Sequence, residues 1–277
     1  MNLTHETLRI AIRMTEELLL EEGELVSTSS WQGQHREDGS LDTFEITNVS
    51  FTTPVPSGLV DLQAMTTPNL PWVEEHFQER ISRVPYNPPP SHTRWPFWRA
   101  SSEATREVDG NKFSHSYPER YWCPAKPGIR YAWGNLDSVV ELLYRDPFTR
   151  QAYLPVFFPE DTGAGATGIG YTPRRIPCTL GYGFLHRGNQ LHMFYDIRSC
   201  DALRHFFDDT YLSCRLLLWV LDELRGKEGL LGGHYWDGVS LGTITVHIYS
   251  FHIFKGDLSA LKYKLGLGKM PKDREDA

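Results

Sequence analysis

The chain has 277 residues, of which 40% are hydrophobic and 23% charged, so it contains enough apolar material to bury a sizeable core. Its 28 Lys and Arg residues against 35 Asp and Glu residues give a formal charge of -7. A protein that wraps nucleic acid carries an overall positive charge, so this charge argues against that function. It is still compatible with a local pocket that binds an anion.

Redox and targeting features predict a cytoplasmic protein. The four cysteines show no Cys-x-x-Cys spacing, which argues against a disulfide framework and a zinc site. The first residues, Met-Asn-Leu-Thr-His-Glu-Thr-Leu, are polar. A signal peptide would instead have a basic stretch followed by an apolar run. No run of about 18 apolar residues is present, so we expect no membrane segment.

In the N-terminal part, apolar spacing predicts two helices around a β-rich segment. Residues 4–22 have a helical period closed by Gly23, and their apolar side carries Leu8, Ala11, Ile12, Leu18 and Leu19. Alternating apolar residues predict strands and turns over 40–66. Residues 72–83 return to a helical pattern, and the proline-rich stretch 85–91 is predicted to be a loop.

In the C-terminal part, helices are predicted over 135–145, capped near Asn135 or Asp137, and over 208–224. The second is the most apolar helix and is predicted to be a buried central one. Strands are predicted over 152–158, 179–185, 190–195 and 240–254.

A glycine-rich motif and the histidines have simpler interpretations than cofactor or metal binding. Gly163-Ala-Gly165-Ala-Thr-Gly168 matches G-x-G-x-x-G, but the prolines that follow forbid the helix that a dinucleotide site needs, so a surface loop is expected. The histidines form no His-x-x-x-His or Cys/His ligand pattern, so no metal site is expected.

The strongest chemical signal is an ordered set of residues in the second half of the chain. Cys178 lies in Arg-Arg-Ile-Pro-Cys-Thr, and Arg198-Ser199-Cys-Asp201 follows it. A cysteine is a strong nucleophile as thiolate, and a nearby guanidinium favours that form. Taken alone, Cys178 would be read as a buried thiol, and Trp95-Pro-Phe-Trp98 as core aromatics.

The joint order of these motifs, with His247-Ile-Tyr249 further on, resembles the thymidylate synthase superfamily over residues 110–255. The resemblance implies an α+β (α/β) thymidylate synthase-like fold, with a large mixed twisted sheet, a buried central helix and a sheet face used for homodimerisation. It implies one catalytic domain over 1–265, followed by a flexible tail over 266–277.

The resemblance also assigns roles to individual residues. Cys178 would be the nucleophile, and Arg150 would reach the substrate phosphate of the partner subunit. The residues implied to bind the nucleotide's phosphate, base or sugar are Arg198, Ser199, Asp201, His247 and Tyr249.

Residues nearer the N-terminus are implied to act in proton transfer and folate binding. Tyr117 resembles the tyrosine that helps to remove the proton from pyrimidine C5. Trp95 and Trp98 repeat a tryptophan pair near the folate, which Asp201 also lines. Glu75 is the candidate for the proton-relaying glutamate, with Glu79 as the second choice.

Departures from the family pattern indicate the substrate. Asp209, eight residues after Asp201, stands where thymidylate synthases carry the asparagine that selects uracil. A carboxyl group can accept from the exocyclic amine of cytosine and pair with N3, so aspartate implies dCMP or CMP. A one-residue shift would place Asp208 there instead, and both could simply be an acidic helix N-terminus. Thr179 replaces a histidine, and Gln151 replaces an arginine.

The sequence therefore predicts a cytidylate 5-hydroxymethylase that uses 5,10-methylenetetrahydrofolate, similar to phage-encoded and antibiotic-pathway enzymes. Cys178 would add to C6, and water would quench an exocyclic methylene. Quenching by hydride would instead make a dCMP methylase or a divergent thymidylate synthase. A third hypothesis is an inactive homologue that binds nucleotide. The expected partners are a pyrimidine nucleoside monophosphate and a second copy of the chain, with no nucleic acid polymer, in the cytoplasm or in that of a phage host.

Overall fold

The computed structural model describes residues 2–31, 34–98, 107–108, 112–123, 135–161 and 175–269. Within these ranges the chain is a mixed α+β protein. The helices are α1 (Leu8–Glu22), α2 (Leu59–Thr66), α3 (Trp72–Ile81), α4 (Tyr117–Tyr121), α5 (Leu136–Arg145), α6 (Phe206–Leu231) and α7 (Leu258–Lys264). The strands are β1 (Asn2–Thr4), β2 (Glu24–Val26), β3 (Ser30–Trp31), β4 (Gln34–His35), β5 (Thr43–Pro54), β6 (Glu107–Val108), β7 (Lys112–Phe113), β8 (Tyr153–Pro155), β9 (Thr179–Arg187), β10 (Gln190–Asp201) and β11 (Ser240–Phe254).

A large mixed sheet organises the molecule. Its seven strands run in the order β1-β5-β11-β10-β9-β8, with β2 also paired to β5. The β1–β5 and β10–β11 pairs are parallel, and the other neighbours are antiparallel. The sequence prediction of a large mixed sheet in an α+β chain is therefore confirmed.

Helix α6 covers one face of this sheet, and most of the apolar side chains of the helix are buried there. Its fully buried residues include Phe206, Tyr211, Leu217, Val220 and Leu224. Phe206 packs edge-on against Phe51 of β5 and Phe251 of β11, with ring centroids 6.0 and 4.8 Å away. The predicted central helix is thus present, and it begins two residues earlier and ends seven later than the pattern predicted. No helix in the described parts of the chain is both long and apolar enough to cross a membrane.

Most predicted elements agree with the structure, but the assignment of 40–66 to strands and turns alone was wrong. Residues 59–66 form α2, which follows Gly58 and ends at Thr67 in the left-handed region (φ 48°). Only Leu62 and Thr66 of this helix are buried, and Val60 is 78% exposed. So short and one-sided a helix leaves little periodic signal in the sequence. The loop at 163–168 and the tail from 270 onward lie outside the described residues.

A row of irregular pairings crosses the sheet at one level. Between β11 and β5, Ile248 pairs with Val49 and Ser250 pairs with Thr47, and Asn48 between these positions has a positive φ of 56°. The neighbouring strands β10 and β9 are irregular at the same level, at Arg198 and Leu180 respectively.

This row changes which face of the sheet each side chain occupies. In β10, the buried positions Leu191, Met193, Tyr195 and Ile197 alternate regularly, but the next buried residue is Cys200. Bulges re-aim side chains in this way and are common beside active sites. Beyond the row, Ser199 and Asp201 line the same cavity as Cys178.

Candidate active site

A cavity of about 380 Å³ lies at the end of the sheet beyond the irregular row. This volume is within the range of about 300–1,000 Å³ that is usual for small-molecule sites. Arginines and aspartates both line it, so it can bind an anionic group and a polar ring together. The charged residues of its wall are Arg36, Arg80, Arg175, Arg204, Asp201, Asp208, Asp209 and Asp257.

The fold brings together predicted site residues that are far apart in the sequence. The members of the predicted set that line the cavity are Trp95, Tyr117, Cys178, Ser199, Asp201, Asp208 and Asp209. They come from the segment after α3, from α4, from the start of β9, from the end of β10 and from the first turn of α6.

Arg198 holds the backbone that leads into Cys178. Its Nε donates to the carbonyl of Pro177 at 2.8 Å, and its Nη2 donates to the carbonyl of Ile176 at 2.9 Å. Its backbone N–H also donates to the carbonyl of Cys178 at 2.9 Å. The guanidinium is therefore engaged with the chain itself, and its predicted phosphate contact stays a prediction.

Tyr117 faces the cavity and is linked to the sheet by hydroxyl groups. Its Oη is 3.1 Å from Oγ1 of Thr179, which is 3.0 Å from Oη of Tyr195. The guanidinium of the buried Arg80 lies 4.0 Å from the centre of the Tyr117 ring. Burial raises the pKa of Tyr117 above its ordinary value, and the negative charge of Asp209 raises it further. Tyr117 is therefore a neutral hydroxyl at physiological pH.

The two adjacent aspartates at the start of α6 differ in their contacts. Asp208 accepts hydrogen bonds from the backbone N–H and the Nδ2 of Asn69, at 2.9 and 2.7 Å. The carboxylate of Asp209 has no hydrogen-bond partner among the described residues. Burial raises its pKa to about 7; Arg80 lowers it and Asp208 raises it. Asp209 is thus the carboxyl group that can both donate and accept near neutral pH.

Asp201 organises the turn that leads from β10 into α6. Its Oδ1 accepts from the backbone N–H groups of Leu203 and Arg204, both at 2.9 Å. Burial raises the pKa of Asp201 to about 6, against the lowering effect of Arg204. Its contacts are mainly structural, although the side chain also lines the cavity.

Aromatic rings form one wall of the cavity. Trp95 stacks on His205, with ring centroids 4.6 Å apart, and lies 6.2 Å from Trp72. Trp72 in turn stacks on His76 at 5.2 Å. Trp98 does not line the cavity, although it packs edge-on against the lining residue His92, with ring centroids 4.8 Å apart.

Glu75 lies outside the cavity wall, where it forms an ion pair with Arg94 at 2.8 Å. The neighbouring His76 lines the cavity instead, with its Nδ1 3.3 Å from Glu79. Burial alone would raise the pKa of Glu79, but hydrogen bonds with His76 and Ser91 hold it below its ordinary value. Neither glutamate lines the cavity, but Glu79, the second choice, contacts the cavity residue His76.

Three further predicted residues lie on the surface of the chain. Arg150 is exposed in the turn after α5. His247 and Tyr249 are exposed on the sheet face that α6 does not cover, and His247 lies 3.7 Å from Asp196. None of the three lines the cavity that the described residues form.

The cavity residues that the sequence interpretation missed include His76, Arg80 and Arg175. His76 and Arg80 are four residues apart on α3 and so share one helix face, but that pattern alone is typical of a solvent-exposed polar side. Arg175 had a usable signal, since a cation three residues before a reactive cysteine is chemically meaningful.

Comparison with known proteins adds no assignment to this geometry. The chain matches no protein-family model, and no curated protein is significantly similar to it. Among the described residues, no group of three or more His, Cys, Asp and Glu side chains is arranged to hold a metal ion.

Proposed function

We propose that the protein is a folate-dependent enzyme of thymidylate synthase-like fold that hydroxymethylates cytidylate at C5. One observation carries this proposal: Cys178, Tyr117 and Asp209 come from separate parts of the chain and line one cavity. These are a nucleophile, a hydroxyl for proton transfer and a base-reading carboxyl group. A pyrimidine nucleoside monophosphate needs all three if its C5 is to be substituted.

Cys178 would form the covalent bond that activates the pyrimidine. Its Sγ adds to C6, which makes C5 nucleophilic towards a one-carbon unit. C5 would then bond to the one-carbon unit and lose its proton, which Tyr117 lies on the same wall to guide. The bond between that carbon and the folate nitrogen would break, so that tetrahydrofolate departs and an exocyclic methylene remains on C5. Water adds to the resulting exocyclic methylene while the bond between Cys178 and C6 breaks, which yields the 5-hydroxymethyl base.

Asp209 would recognise the cytosine edge. A protonated carboxyl can donate to N3 while its second oxygen accepts from the exocyclic amine. A pKa of about 7 keeps much of this group protonated at neutral pH, so one proton can be shared between Asp209 and N3. Asp208 is less suited to this role because Asn69 already occupies both of its oxygens.

The aromatic wall fits the flat pterin ring of a folate. Trp72, Trp95 and His205 present adjoining rings to the cavity, of which Trp95 and His205 are stacked, and Asp201 supplies a carboxyl group to the cavity wall. When bound, 5,10-methylenetetrahydrofolate supplies a one-carbon unit at the oxidation level of formaldehyde. The rings would hold the pterin and exclude water from one side of the reacting carbon.

The uncovered sheet face supports the proposal of a homodimer. Tyr153, Phe194 and Tyr249 are 44%, 40% and 51% exposed, and they lie on strands β8, β10 and β11. Aromatic side chains of this kind are enriched in protein interfaces. A partner seated on this face would bring its own Arg150 towards the phosphate of the nucleotide.

Product analysis tests the proposal directly. Purified protein is incubated with dCMP or CMP and 5,10-methylenetetrahydrofolate, and the nucleotide is examined by mass spectrometry. A 5-hydroxymethyl product without dihydrofolate is the expected result. Dihydrofolate formed in step with a 5-methyl product would show hydride quenching instead, and would identify a methylase.

A further inference from the structure

A reactive cysteine needs a cation beside its sulfur, and the arginine predicted for this purpose is engaged elsewhere. Two guanidinium nitrogens of Arg198 donate hydrogen bonds to the carbonyls of Ile176 and Pro177. These bonds fix the path of the backbone before Cys178. They orient the guanidinium towards peptide oxygens, and Arg198 does not line the cavity.

Arg175 is a second guanidinium at the same end of the cavity. Its backbone carbonyl accepts from Oγ of Ser114 at 2.7 Å and from Nδ1 of His115 at 3.1 Å. These bonds anchor the residue to the segment before α4. Its side chain lines the cavity together with Cys178 and Tyr117.

The Arg175 side chain is partly buried, and one of its guanidinium nitrogens has no hydrogen-bond partner among the described residues. That nitrogen, Nη1, is inaccessible to solvent. A buried donor of this kind costs stability unless another group satisfies it. The cost is explained if a negative charge forms beside it during the reaction.

The electrostatic interactions of Arg175 indicate which group carries this negative charge. Burial lowers the pKa of Arg175 below its ordinary value, while Cys178 and then Tyr117 act in the opposite direction. Because the interaction of two charges is mutual, an arginine stabilised by the thiolate stabilises the thiolate equally. Other titratable groups interact with these three side chains: Arg198 with Arg175, and Cys200 with Cys178. Tyr117 interacts with Arg80 of α3, Asp209 of α6, Tyr182 of β9 and Tyr195 of β10.

We propose that Arg175 is the cation that stabilises the Cys178 thiolate, and that Arg198 is a positioning residue that holds the backbone of 176–178. The inference rests on the proposed function for the identity of the nucleophile. The ionisation of the thiol is nevertheless measurable without nucleotide or folate, so the two proposals can fail separately.

The test is the rate of alkylation of Cys178 by iodoacetamide between pH 5 and 9. It is carried out in a Cys123→Ser background, because Cys123 is the other partly accessible cysteine, whereas Cys200 and Cys214 are buried. Arg175→Met should slow alkylation at pH 7 about tenfold or more and raise the midpoint of the pH profile. Arg175→Lys keeps the charge and should restore much of the rate.

Two further variants serve as comparisons. Arg13→Met removes an arginine of α1 that is 57% exposed and paired with Glu17, so it should leave the profile unchanged. Arg198→Lys keeps a charge but cannot span both carbonyl oxygens, so it should lower thermal stability and shift the profile less than Arg175→Met does.

Two outcomes would overturn the inference. One is an unchanged pH profile of Cys178 alkylation in a folded Arg175→Met protein. This includes the case in which the substitution raises only the KM for the nucleotide. The other is a larger shift in Arg198→Lys than in Arg175→Met. If Arg175→Met does not fold, Arg175→Gln, which also removes the charge, replaces it, with the same expected slowing and the same contradicting results. A normal thiol result in a protein that releases no C5 proton would refute the proposed function alone.

Discussion

The carboxylate of Asp208 accepts two hydrogen bonds from Asn69, one from its backbone N–H at 2.9 Å and one from its Nδ2 at 2.7 Å. This pair joins the first turn of α6 to the segment between α2 and α3. It fixes the position of Trp72, which begins α3 and forms part of the aromatic wall. The adjacent Asp209 is left to face the cavity, so two neighbouring aspartates have different tasks.

Asp208→Asn should destabilise the protein without changing its base preference. The new amide can replace one acceptor, but its NH₂ group would face a donor of Asn69. The loss of one buried charge-assisted hydrogen bond should cost about 1–3 kcal/mol. Urea denaturation monitored by fluorescence measures this cost, and a shift of selectivity from cytosine to uracil would contradict the assignment.

Asp209→Asn should move the preference from cytosine towards uracil. An amide can donate to O4 and accept from N3–H of uracil, whereas it cannot share a proton with N3 of cytosine. A mismatched buried polar pair costs about 1–3 kcal/mol, so the ratio of kcat/KM values should change about tenfold or more. The assay uses dCMP and dUMP in competition. An unchanged ratio would mean that Asp209 serves only as an acidic residue at the N-terminus of α6.

Binding of dCMP should weaken as the pH rises through about 7. The complex needs one proton between Asp209 and N3, and the carboxyl group with its raised pKa of about 7 carries that proton only below this value. Calorimetric titration between pH 5.5 and 8.5 measures the effect without turnover. Asp209→Asn should bind dCMP weakly but with little change across this range, and an equal slope in both proteins would assign the titration to another group.

Mixed dimers should recover activity that neither parent shows. If Arg150 acts in the site of the partner subunit, a mixed dimer of Cys178→Ser and Arg150→Ala subunits contains one intact site. Random exchange makes about half of the dimers mixed, so activity should return to about one quarter of the wild-type level. Recovery is measured after subunits are mixed under mild denaturant. No recovery from well-mixed dimers would place Arg150 in its own subunit or outside the site.

Much of the fold could be predicted because its elements carry strong local patterns. Helix α5 was placed within a residue at its start, since Asn135 caps it and its side chain accepts from the N–H of Ser138. The strand over 240–254 was predicted from its β-branched content. Helix α2 was missed because only two of its residues are buried, which gives too little periodicity.

The candidate site could be predicted in part, for a different physical reason. Cys178 and Asp209 carry distinctive chemistry, so their types and spacing were informative. The exclusion of Glu75 from the cavity wall depends on the orientation of α3, which no local pattern encodes. The role of Arg198 depends on the row of irregular pairings, because that row determines which way each β10 side chain points. Such long-range pairings leave no clear local signal.

The most direct measurement is the release of tritium from C5 of labelled dCMP and dUMP, with and without 5,10-methylenetetrahydrofolate. The proposed function predicts folate-dependent release from dCMP, at a higher rate than from dUMP, and its loss in Cys178→Ala. That variant should still bind dCMP, which equilibrium dialysis can show. If the wild-type protein binds dCMP and folate but releases no tritium from either base, the proposal of an enzyme acting at pyrimidine C5 is wrong.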